Sequence, residues 1–256
     1  MPAPGARRQG QALVEYVIIL PSLLMIILGA IQLALIFQAK STLNYAAFLA
    51  ARQGALHHGK ECLGALCVNG GMRLGLAAGL TPLAARKNGA ADGMGVEATQ
   101  LALLAELQTG ALATIKTLNP TREWAAAAMQ KDPYTKASGV PNDNLMYRPT
   151  TLIGPTQSRM NLQDGNLLKI QVTYCFKLDV PFANQIIYAA NSLLPASALA
   201  ASALPTGWAP LAEATPLPGL ACNVLNAIPA GTPGSGRYLP IVATAMVRMQ
   251  SPYIGP

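Results

Sequence analysis

The feature that most constrains this chain is an uncharged run of 22 residues, 16–37, opening at Tyr16 and closing at Phe37. Coiled at a rise of about 1.5 Å per residue, it makes a helix about 33 Å long, which matches the hydrocarbon core of a bilayer. Composition points the same way. Charged residues are 11% of the chain and the hydrophobic set 52%, whereas soluble domains carry about 25% charged residues. Arg7 and Arg8 precede the run and Lys40 is the first basic residue after it. The positive-inside bias therefore leaves the first ten residues in the cytoplasm and exports the rest. A secretory signal peptide has an apolar region of about 7–15 residues, so the length of this run predicts retention in the membrane.

Glu15 stands at the edge of the run. A carboxylate in hydrocarbon costs about 2.5–3.5 kcal/mol on insertion scales, so the position calls for a partner or for the interface. In a first helical turn the helix dipole would also favour it. Its register is more telling: Arg7, Arg8 and Gln9 precede Gly10, and Gln11, Ala12, Leu13, Val14 and Glu15 follow, so the acid is fifth after the glycine. In this the segment resembles a type IV prepilin. The resemblance implies that a prepilin peptidase cuts between Gly10 and Gln11 on the cytoplasmic side and leaves the apolar helix in the subunit. The cut frees an α-amino group at Gln11, a cation that Glu15 of a neighbouring subunit could compensate in low dielectric.

Glu15 is followed by Tyr16, Val17, Ile18, Ile19, Leu20 and Pro21, and a small-residue stretch from Asn44 to Ala55 contains Ala50, Ala51, Arg52, Gln53 and Gly54. These residues resemble a TadE-like pseudopilin of the tight-adherence (type IVb, Flp-type) pili. Small residues at helical spacing let helices approach closely, although an alanine-rich helix needs no more than high propensity to form. Gln11 departs from the phenylalanine frequent at the first mature position of type IV pilins, and Pro21 interrupts the span. The resemblance implies other pilin and pseudopilin subunits, the prepilin peptidase and an inner-membrane assembly platform as partners. It implies a single pass through the bacterial inner membrane with a periplasmic head, or a place on a surface pilus.

The exported part is read from pattern. Leu101, Leu104, Gln108, Leu112, Ile115 and Leu118 fall near helical spacing and predict one amphipathic helix over 96–118. Asn119 and Pro120 suit the cap and first position of a further helix through 124–131. Residues 132–165, rich in Pro, Asn and Gly, read as a long loop. Over 168–178, Leu168, Ile170, Val172, Tyr174, Phe176 and Leu178 alternate with mostly polar residues, which predicts an antiparallel strand with one buried and one polar face. A second strand at 241–250 could pair with it. Val172, Tyr174, Pro181, Met246 and Arg248 resemble the end of TadE-like domains. From 180 to 212 no charge occurs, but Pro195, Pro205 and several amides make this run less apolar than the first, and it reads as a helix over 181–194 lying on a membrane or a partner.

Four cysteines suit two disulfides outside the cytoplasm, Cys62 with Cys67 and Cys175 with Cys222. His57 and His58 make zinc the alternative at the first pair, but no second ligand pair follows. The expected architecture is α+β: a leader at 1–10, a hydrophobic assembly helix at 11–58, a helical and loop region at 59–165 and a strand-containing part at 166–256. There is no phosphate loop, nucleophile elbow or zinc-helix motif, and acidic residues stand singly. No catalytic residue, metal or cofactor is therefore expected, and the chain is read as not an enzyme. The net charge of +7 is scattered and aromatics are 5%, so nucleic-acid binding is not expected either. Two functions remain: a minor pilin or pseudopilin in the biogenesis or tip of an adhesive pilus, and an uncleaved, single-span periplasmic binding component.

Overall fold

The structure, a computed structural model, describes residues 6–64, 67–87, 95–131, 136, 138–155, 159–193, 222–229 and 235–254. Its elements in chain order are α1 (Ala6–Leu56), α2 (Met72–Lys87), α3 (Val96–Gln108), β1 (Ala113–Asn119), α4 (Arg122–Ala128), β2 (Gln130–Lys131), β3 (Ser138–Gly139), a 3-10 turn (Leu145–Tyr147), α5 (Leu162–Gly165), β4 (Leu167–Lys177), α6 (Ala183–Leu193), α7 (Asn223–Asn226) and β5 (Tyr238–Arg248). The class is α+β, a long apolar helix followed by further helices and a small sheet. The chain divides into two compact units, 1–38 with 176–239, and 39–175 with 240–256.

The larger unit is built on the second half of α1. Ala39, Leu43, Ala46, Ala47, Ala50, Ala51 and Ala55 are fully buried, and their spacing of three and four residues draws one stripe along the helix. The stripe is made of small side chains because α2 lies almost against the backbone. A Cβ on Gly79 would stand 2.4 Å from the Ala46 Cα, and one on Gly75 would stand 2.5 Å from the Leu49 carbonyl oxygen. Leu76 and Leu80 flank these glycines and are buried in turn. Further along α1, Gly54 fits between Met72 and Leu168, so the same helix meets both α2 and the sheet.

The sheet has the order β1-β4-β5, and β1 runs antiparallel to β4 with Ala113 opposite Tyr174 and Thr117 opposite Ile170. A bulge at Leu118 ends that register, because Asn119 pairs with Lys169. The single helix expected over 96–118 is thus two elements. α3 stops at Gln108, Gly110 turns at φ 70°, and the β-branched Thr114, Ile115 and Thr117 continue as a strand. Leucines spaced by three or four fit the start of either element, and the Thr-Gly step decided which one formed. The helix expected to begin at Asn119 and Pro120 begins later. Thr121 caps α4 by accepting from the Trp124 N–H, while the Asn119 side chain donates to the Asp164 and Leu167 carbonyls.

β4 also differs from the expected half-exposed strand. Leu168, Ile170 and Val172 are fully buried, but Gln171 and Thr173 are buried as well, at 5% and 3% exposure. As the centre strand it has a neighbour on each edge and cover on both faces. Trp124 closes the core by resting on Gly165, where a Cβ would stand 1.9 Å from its ring, and its Nε1–H donates to the Met160 carbonyl at 3.1 Å.

Candidate assembly interface on the N-terminal helix

α1 runs unbroken for 51 residues through Pro21. Beside that proline the Ser22 hydroxyl donates to the Ile19 carbonyl at 2.8 Å. The helix begins at Ala6, so Glu15 lies more than two turns inside it, and the first-turn dipole effect, which fades within one turn, does not reach it here. Glu15 and Tyr16 are both exposed, with Tyr16 at 63%. Around and beyond them Leu13, Val17, Ile18, Leu23, Leu24, Ile26 and Ile31 are exposed in succession. The most apolar 18-residue window has mean hydropathy 2.5 and is almost wholly uncovered.

An apolar surface of this extent, left open by the fold on every side of the helix, needs lipid or the helices of other subunits. One helix among the described residues is long and apolar enough to cross a membrane, and it is this one. The backbone at Arg7, Arg8, Gly10 and Gln11 is helical; the side chains of Arg7, Arg8 and Gln11 lie outside the described part, as do residues 1–5 of the expected leader.

The TadE-like protein family model matches residues 10–52. This segment is TadE-like. It opens at Gly10 and takes in Glu15, Tyr16, the apolar run and most of the small-residue stripe. Neither the curated proteins nor the solved structures contain a match.

The TadE-like segment combines two chemically different surfaces on one helix. Its first half is apolar and exposed, and its second half is buried by small side chains. The larger unit secures the end of that second half with its own C-terminal tail. The Gln250 and Ser251 N–H groups both donate to the Ala55 carbonyl at 3.1 Å, and the Ser251 hydroxyl does so at 2.9 Å. These bonds use a carbonyl that the end of the helix leaves without a partner. His58 is part of the same closure: its N–H donates to the Ser251 hydroxyl, and its Nδ1 lies 2.9 Å from the Pro252 carbonyl. Tyr253 packs its ring on Gly59, which takes φ 76°. The Cys62 and Cys67 sulfurs are bonded to each other and His58 is bonded to the tail, so these residues are engaged otherwise than in the zinc alternative.

Cys62 and Cys67 form a disulfide, with Cα atoms 4.7 Å apart, and Cys175 and Cys222 are disulfide-bonded too. The Cys62–Cys67 loop is held by Arg73, which pairs with Glu61 at 3.1 Å and donates to the Leu107 carbonyl at 2.7 Å, tying the last turn of α3 to the loop.

Three residues of this architecture escaped the sequence reading. Gly75 and Gly79 form a G-x-x-x-G step that was visible in the sequence, and pairing it with the small-residue stretch of α1 would have predicted their close contact. Gln32, an amide inside the apolar run, is fully buried, and its Oε1 accepts from the Val180 N–H at 2.9 Å. An isolated amide in hydrocarbon was the available signal that something covers that position.

Proposed function

We propose that this protein is a TadE-like minor pilin or pseudopilin, a structural subunit in the biogenesis or tip of a tight-adherence pilus that serves adhesion and surface attachment. The observation that carries the proposal is the exposed apolar half of α1 with Glu15 and Tyr16 at its start, inside the matched segment. In this reading prepilin peptidase cuts between Gly10 and Gln11. Arg7 and Arg8 keep the leader cytoplasmic, the head stands in the periplasm, and the helix serves first as a membrane anchor and then as an assembly surface.

Removing the leader would make Glu15 the fifth residue of the shortened helix and so bring it back toward the N-terminal end, where a negative charge is stabilising. In a packed bundle its carboxylate would face the new α-amino group of a neighbour, a pairing that fixes subunit register. The partners are then other pilin and pseudopilin subunits and the inner-membrane assembly platform, and the role is structural, not enzymatic. The two disulfides suit the oxidising compartment that this topology gives the head.

N-terminal sequencing of the mature protein tests the proposal. A start at Gln11 in cells with the peptidase, and at Met1 or Pro2 without it, is the expected result; the same start in both strains rejects it. A Glu15→Ala variant should be cut normally but fail to enter pili. Normal incorporation of that variant would remove Glu15 from the assembly mechanism.

A further inference from the structure

α6 leaves large apolar side chains on its open side. Its inner side holds Ala183, buried, and Asn184, Ile187 and Tyr188, half-buried, while Phe182, Ile186 and Ala189 are exposed together with Gln185. Phe182 is 59% and Ile186 55% exposed. The open side of α6 thus carries two large apolar side chains and one amide, while the inner side mixes Ala183 and Ile187 with Asn184 and Tyr188. Just before the helix, Phe182 is held at φ 62°, a conformation an aromatic residue rarely adopts, with its ring turned outward.

The position of this helix is fixed by Gln32. The Val180 N–H, two residues before Phe182, is bonded to the Gln32 side chain at 2.9 Å, and both groups are buried. Gln32 lies five residues before the end of the apolar run at Phe37, about 7–8 Å along the helix axis. Where α1 crosses a bilayer, this is the depth, about 5–10 Å, at which interfacial helices bury their apolar face. The polar flank also suits that place. The Arg237 guanidinium lies 5.8 Å from the Tyr188 ring centroid and 3.5 Å from the Asn184 Oδ1, and Arg and Tyr are side chains with an apolar stem and a polar end that prefer the headgroup level.

We propose that α6 lies in the boundary between headgroups and acyl chains of the membrane that α1 crosses, with Phe182, Ile186 and Ala189 in lipid and Arg237 at the headgroups. The inference rests on the membrane-spanning reading of α1 and adds a second, monotopic contact to it. The Gln32–Val180 hydrogen bond sets the depth of that contact, so the head meets the bilayer through a helix of its own as well as through the anchor.

Photocrosslinking in the full-length protein tests this. p-Benzoylphenylalanine is placed singly at 182, 186, 19 and 146, and the protein is reconstituted in vesicles of phosphatidylethanolamine and phosphatidylglycerol. The expected result is a mass shift of one phospholipid at 182, 186 and 19, above the background adduct level that Met146, a 79% exposed position, sets. Lipid adducts at 19 without any at 182 or 186 overturn the proposal and leave the span intact. Protein–protein adducts at 182 or 186 in place of lipid ones overturn it in favour of a subunit contact. Absence of lipid at 19 removes the span itself and the proposal with it.

Discussion

Gly79→Ala should destabilise the larger unit even though alanine is the better helix former. The propensity gain is about 1 kcal/mol. Against it, the new Cβ would stand 2.4 Å from the Ala46 Cα and 2.6 Å from the Ala46 Cβ, where carbons normally rest at about 3.5–4.0 Å. The obstacle is the backbone of the facing helix, which no change of rotamer removes, so α1 and α2 must separate locally by about 1 Å. A gap of that size forfeits about a quarter to a half of the dispersion energy across it, and the residues on either side, Leu43, Ala47, Leu76 and Leu80, are at most 1% exposed. Overpacking costs about 1–3 kcal/mol, and the upper half of that range applies where backbone is struck, which leaves a net loss of about 1–2 kcal/mol. For a unit of about 150 residues this lowers Tm by about 2–8 °C. Near-UV circular dichroism of the detergent-solubilised protein, which reports on the buried Trp124, follows the transition. Gly29→Ala on the same α1 helix is the control, because a Cβ there meets nothing within 4 Å and should cause no loss. A Gly79→Ala protein that melts at or above the wild-type temperature would refute the close-packing argument.

Three further perturbations probe how the head is closed. Gly59→Ala meets both a left-handed backbone, φ 76°, and the Tyr253 ring 2.3 Å from the new Cβ; a loss of about 2–3 kcal/mol is expected, read as faster amide exchange at Val140 and Ile254, whose N–H groups bond to the Tyr253 and His58 carbonyls. Arg73→Met removes the Glu61 pair and the bond to the Leu107 carbonyl and should cost about 1–2 kcal/mol in chemical denaturation, with wild-type stability in the variant disproving a holding role. Burial raises the Tyr253 pKa above its usual 10.0, and Arg122 lowers it in part. A raised folded-state pKa means the folded state holds the proton more tightly, so this stabilisation is complete below pH 10 and is lost as pH rises through the folded value. Tyr253→Phe should therefore flatten the alkaline limb of the stability profile, and an unchanged limb would assign it to other groups.

Much of the architecture was legible because its signals are local. The length of the 16–37 run fixes one membrane-length helix whatever surrounds it, and strict alternation over 168–178 specifies a strand in β4 at 167–177. Spacing does not place the boundary between α3 and β1, because leucines three or four apart are compatible with both elements. Its resolution lay in one glycine and three β-branched residues. The last turns of the apolar run are not bare, since the Gln32 side chain is bonded to Val180, a residue 148 positions away.

The sequence by itself determined the apolar helix, the Gly10–Glu15 spacing and the strand at 167–177, because each follows from spacing within about 25 residues. Only the tertiary structure decided that the polar side of β4 is buried, that the segment at 250–253 closes the end of α1, and that Gly75 receives Leu49 and Gly79 receives Ala46. Those outcomes depend on which distant surfaces meet, and close packing makes them specific to within an ångström. The pattern of any one segment does not contain that information.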